Sequence, residues 1–79
     1  MRLPRDIDAA DLIKVLKKFG YTPSRQKGSH IRLTTTLNGQ HHITIPKHNP
    51  VSLGTLSSII NDVALHFGKT KEMIANELF

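Results

Sequence analysis

Five histidines in a chain of 79 residues without cysteine are the first candidates for chemistry. Metal binding is the first use to weigh. No histidine pair has the short helical or Cys/His spacing of a zinc motif, and no nearby carboxylate completes a ligand set. His41 and His42 adjoin in a stretch with strand character, so they point to opposite faces and cannot share one ion. His66, late in a helical stretch, suits the C-terminal end of a helix dipole. No metal site and no cofactor are expected.

His30 has a different setting. It closes the step Lys27-Gly28-Ser29-His30, where glycine lets the backbone turn sharply or approach a ligand. Arg25 and Lys27 precede it, and Arg32 and Thr34 share its row in an alternating segment. An imidazole titrates near 6.5, so it can take or give a proton close to neutrality. RNA carries its own nucleophile, the 2′-hydroxyl. A base that removes that proton while Lys or Arg neutralises the phosphate is enough for cleavage without a metal. The residues alone also allow a surface histidine at a strand start, with Gly28 and Ser29 serving only a turn.

The charge distribution favours such a partner. Eleven Lys and Arg against six Asp and Glu give a formal charge of +5. Three of the six carboxylates, Asp6, Asp8 and Asp11, fall in the first eleven residues, whereas Lys14 to Lys47 holds seven basic residues and no acidic one. A one-signed stretch of this kind fits a polyanion. Few aromatics argue against a single-strand binder built on stacked rings. No signal-peptide core or membrane-length apolar run is seen, and the absence of cysteine fits the cytosol. At this length one domain over residues 1–79, with a shallow groove rather than a deep tunnel, is expected.

These residues need elements to position them. Asp8 is placed to cap a first helix, with Asp11 in its first turn, Ile7 and Leu12 as a staple, and Gly20 as its end. Strand character follows over 21–27, 30–37 and 41–46, with Ile31, Leu33 and Leu37 alternating with Arg32, Thr34 and Thr36. Asn38-Gly39 signals a hairpin, but a two-residue turn pairs positions summing to 77 and sets Leu33 opposite Thr44. Sums of 76 or 78 set Leu33 opposite Ile43 or Ile45 and keep the apolar residues on one face. Either register puts His30 opposite Pro46 or His48, near Lys47. Ser52 is a cap for a second helix to about His66, with Leu53, Leu56, Ile59, Ile60, Val63 and Phe67 as its stripe and Gly68 as its end. Thr70 starts a short terminal helix. The order is α+β: helix, three antiparallel strands, helix and a short extra C-terminal helix, with the helices on one face of the sheet.

The chain resembles the HicA, or YcfA-like, toxins of bacterial and archaeal toxin–antitoxin pairs. The resemblance is carried by "GYTPSRQKGSH", the hairpin to "ITIPKH" and "GTLSSII", in that order, over about residues 9 to 67. It implies a double-stranded-RNA-binding-domain-like α-β-β-β-α fold and an mRNA interferase whose catalytic residue is the histidine of the Gly-Ser-His step, here His30. It also implies a HicB antitoxin that covers the site. Gly28 and Ser29 match the motif, and His48 matches the histidine after the strand-three proline, an accessory candidate for the second proton transfer. Gly54 and Thr55 match the start of helix two, whose N–H groups can meet a phosphate. Leu53 stands where family members often carry a lysine, which puts one phosphate contact in doubt, and Lys47 is a substitute. The aromatic common after the catalytic histidine is absent.

The leading expectation is a cytoplasmic, metal-independent endoribonuclease toxin, with Arg25, Lys27, Arg32 and Lys47 binding mRNA phosphates. A non-catalytic RNA-binding module of the same fold is the alternative. A third reading is a protein-interaction partner whose basic face meets an acidic antitoxin.

Overall fold

The computed structural model describes residues 3–79. Helix α1 (Ala9–Leu16) continues through a 3₁₀ turn at Lys17–Phe19 and stops at Gly20, whose φ of 80° is left-handed. A Cβ on Gly20 would sit 2.7 Å from Thr35 Oγ1, so space as well as conformation requires glycine there. Strands β1 (Thr22–Lys27), β2 (His30–Thr35) and β3 (His41–Pro46) follow, then α2 (Leu53–Phe67) and α3 (Lys71–Leu78). The sheet is antiparallel in the order β1-β2-β3.

The inner face of the sheet, with Leu33, Ile43 and Ile45, shares one buried cluster with Leu12 and Leu16 of α1, Leu56, Ile60 and Val63 of α2, and Ile74 and Leu78 of α3. All three helices therefore cover one face. The β2–β3 register sums to 76, with Leu33 opposite Ile43 and His30 opposite Pro46. Burial of the apolar row decides it, as the alternation requires.

The caps at Ser52 and Thr70 form as expected, each hydroxyl accepting from the N–H three residues on. Three expectations need correction. Asp8 occupies the N-cap position, but its side chain makes no cap bond. Asn49 Oδ1 accepts from the Ala9 N–H instead, at 3.1 Å, tying the loop after β3 to the start of α1. Strand two ends at Thr35 rather than 37, and Leu37 is exposed. Thr35 Oγ1 donates to the buried end of α1 at Phe19 O and accepts from Leu37 N–H, which bends the chain off the ladder. Leu53 opens α2 but is exposed rather than part of its buried stripe.

Candidate functional site

Strand β1 is an edge strand exposed along its whole length, so burial does not fix its register. A β-bulge at Ser24 does. Thr22 pairs with Thr34 and Pro23 with Leu33, and after the bulge Arg25 pairs with Arg32 and Lys27 with His30. The extra residue reverses the strand's parity. Arg25 and Lys27 thereby turn outward, onto the face that carries Arg32 and His30. Without it Arg25 would oppose Ile31 on the apolar side.

Gly28 and Ser29 form the two-residue loop joining β1 to β2. Gly28 has φ 57°, the left-handed value that a type II′ hairpin needs at its first central position. A Cβ there would meet nothing within 4 Å, so glycine is required by conformation and not by space. The motif is thus a hairpin tip that sets the lysine and the histidine directly across from each other. Lys47 N–H donates to Ser29 O at 2.6 Å and anchors the far side of the tip.

The outer face then reads in rows across the strands: Lys27, His30 and Pro46; Arg25, Arg32 and Thr44; Thr22, Thr34 and His42. The first two rows enclose a shallow pocket of about 220 Å³ lined by Arg25, Lys27, His30, Arg32 and Thr44. His30 is exposed at its edge. Arg32 Nε is shielded from solvent and has no acceptor among the described residues. A guanidinium nitrogen in that condition suits an anion, because an unmet donor is costly only until an acceptor arrives. Thr44 was missed as a site residue. The signal was available, since a register of 76 sets it opposite Arg32.

Other expected site residues stand apart from the pocket. Lys47 and His48 do not line it. The ladder ends at Pro46, and the His48 N–H turns back to Pro46 O at 2.8 Å, which takes the chain off the strand. Gly54 and Thr55 sit in the first turn of α2, outside the pocket. Thr55 N–H donates to Ser52 Oγ and Leu56 N–H to Ser52 O, so these two groups are not free for a phosphate.

His41 and His66 hold structure. His41 points to the inner side, where Tyr21 Oη lies 2.7 Å from its Nδ1. Burial, helped by Asp62, pushes the Tyr21 phenol up to about 12, so the hydroxyl keeps its proton and donates. Burial first, and then His66, hold His41 below its ordinary value in the neutral form that accepts this bond. His66 stacks on His41 at 4.4 Å, and its Nε2–H donates to Leu37 O at 2.9 Å. Asn38 Nδ2 donates to His66 O. These contacts tie the β2–β3 loop to the end of α2. Among the described residues no three His, Asp or Glu side chains gather as a metal group. No helix among them is long and apolar enough to cross a membrane.

The α-β-β-β-α order, with one sheet face covered by helices and the other open and basic, defines a double-stranded-RNA-binding-domain-like α+β protein. Residues 9–65 match the family described as HicA toxin of bacterial toxin-antitoxin, and the chain belongs to that family. It is therefore the toxin side of a toxin–antitoxin pair, with an antitoxin as its partner. No curated protein and no solved structure matches the chain.

Proposed function

We propose that this toxin is an mRNA endoribonuclease that works without a metal, with His30 as its proton-transfer residue and a HicB-type antitoxin as the partner that masks the open face. The observation that carries this reading is the pocket in which one exposed imidazole meets three cationic side chains, one of them with an unmet buried N–H. His30 takes the proton of a ribose 2′-hydroxyl, the 2′-oxygen attacks the adjacent phosphorus, and the 5′-oxygen leaves. Arg25, Lys27 and Arg32 stabilise the charge that builds on the phosphoryl oxygens. The ends produced are a 2′,3′-cyclic phosphate and a 5′-hydroxyl.

In-line displacement puts the entering and leaving oxygens on opposite sides of phosphorus. The leaving oxygen thus needs a proton from a second donor. Lys27 lines the pocket across from His30, and His48 does not line it, so Lys27 is the group favoured for the leaving side.

The test is incubation of purified protein with RNA in excess EDTA, reading both product ends. Cyclic phosphate and 5′-hydroxyl termini are expected, and co-purified antitoxin should suppress them. Binding without products would favour the RNA-binding module of the same fold. Cleavage leaving a 5′-phosphate would rule out attack by the 2′-hydroxyl.

A further inference from the structure

The third row of the outer face carries a chain of hydrogen bonds that the pocket does not use. Ser24, at the bulge, has its Oγ 2.6 Å from Thr34 Oγ1 and 3.3 Å from Arg32 O. Thr34 Oγ1 in turn lies 2.7 Å from His42 Nδ1. One side chain from each strand is thereby linked in a line across the open face.

One ordering satisfies all three contacts at once: the Arg32 carbonyl can only accept, and in this ordering it takes the single Ser24 proton. Thr34 must then give its proton to Ser24 Oγ, and the remaining bond is filled by His42 Nδ1–H donating to Thr34 Oγ1. A neutral His42 so oriented carries no proton on Nε2. That nitrogen has no partner among the described residues, and the side chain is exposed. In this ordering the protein presents an acceptor on an otherwise cationic, donor-rich surface.

His42 lies one strand over and four positions along from His30. A strand rise of about 3.3 Å and a strand spacing of about 4.8 Å put the two roughly 14 Å apart, with Arg32 and Thr44 between them. A strand of nucleic acid with a phosphate in the pocket is long enough to reach this row.

We propose that Ser24, Thr34 and His42 form a second subsite, in which His42 Nε2 accepts a hydrogen bond from a ribose 2′-hydroxyl of the bound strand and so favours RNA over DNA. The subsite rests on the reading of the pocket as an RNA site. A 2′-hydroxyl is the donor that RNA has and DNA lacks. Amino groups on bases would also fit Nε2, but they occur in both polymers, and the comparison below separates the two.

The experiment uses full-length protein carrying His30→Ala, so that nothing is cut, and measures binding to a fluorescent single-stranded RNA and to DNA of matching sequence. Adding His42→Ala should weaken RNA binding roughly two- to tenfold, as loss of one hydrogen bond does, and leave DNA binding unchanged. Adding Thr34→Val should weaken RNA binding in part, since that ordering is then lost, and Thr34→Ser should restore it. Equal loss on RNA and DNA, or no loss on either, would overturn the subsite while leaving the pocket intact. A His30→Ala parent that binds neither polymer would overturn the RNA reading itself and the subsite with it.

Discussion

The two faces of the sheet both carry histidine, with opposite consequences. On the inner side His41 and His66 stack, each with a ring nitrogen committed to Tyr21 or to a backbone carbonyl. Burial keeps His41 neutral. On the outer side His30 is exposed beside Arg25, Lys27 and Arg32, and among the described residues no hydrogen bond ties up its ring. The same side chain is a packing element on one face and, in the function proposed, a reagent on the other. What separates them is strand parity, and one residue of slip would exchange the roles.

The comparison can be broken by substitution on either face. Arg32→Ala is expected to cost RNA binding the most. It removes charge-assisted bonds worth about 1.5–3 kcal/mol, a roughly tenfold to hundredfold loss of RNA affinity in a binding titration. Arg32→Lys should recover only part of it, because the planar fork is lost. Gly28→Ala forces a Cβ into left-handed backbone at the hairpin tip. It should destabilise the fold by about 1–2 kcal/mol in a denaturant melt and reduce cleavage by disturbing the pairing of Lys27 with His30.

On the inner face, Tyr21→Phe removes the bond to His41 and should cost about 1 kcal/mol of stability with no change in cleavage rate. The same cluster gives a pH dependence. His41 has a lowered value in the folded chain, so its contribution is fully present above the unfolded value of about 6.5. As pH falls below that point the unfolded chain binds the proton first, and stability drops until the folded group titrates as well. Thermal melts should show Tm falling on acidification from neutrality, with a shallower fall in His41→Gln. The smallest effect is expected from Lys14→Ala. This exposed residue lies on the helix layer that covers the opposite side of the sheet, and RNA affinity should hardly change.

Much of this arrangement is legible in the residue order. Ser52, Thr70, Gly20 and Gly68 mark helix ends by local chemistry, and the alternation of Ile31, Leu33, Ile43 and Ile45 selects the hairpin register. His30 is visible through the Gly-Ser-His step. What stayed hidden depends on contacts distant in sequence. Edge strand β1 buries nothing, so no periodicity reports its parity, and the bulge at Ser24 is set by pairing with β2. The cap on α1 comes from Asn49, forty residues away, and so Asp8 was a reasonable but idle candidate. His48 faces His30 only in the register summing to 78, whereas the observed one sums to 76 and the chain turns back after Pro46.

The central claim is that the outer-face imidazole does the chemistry and the inner-face one only holds the fold. Cleavage rates of His30→Ala and His41→Ala, measured side by side in EDTA at a temperature where both are folded, test it most directly. His30→Ala should lose about 10²–10⁴-fold in rate with an unchanged Tm, and His41→Ala should keep its rate with a lowered Tm. A His30→Ala protein that cuts at the wild-type rate, or a matching loss in both variants, would contradict the account.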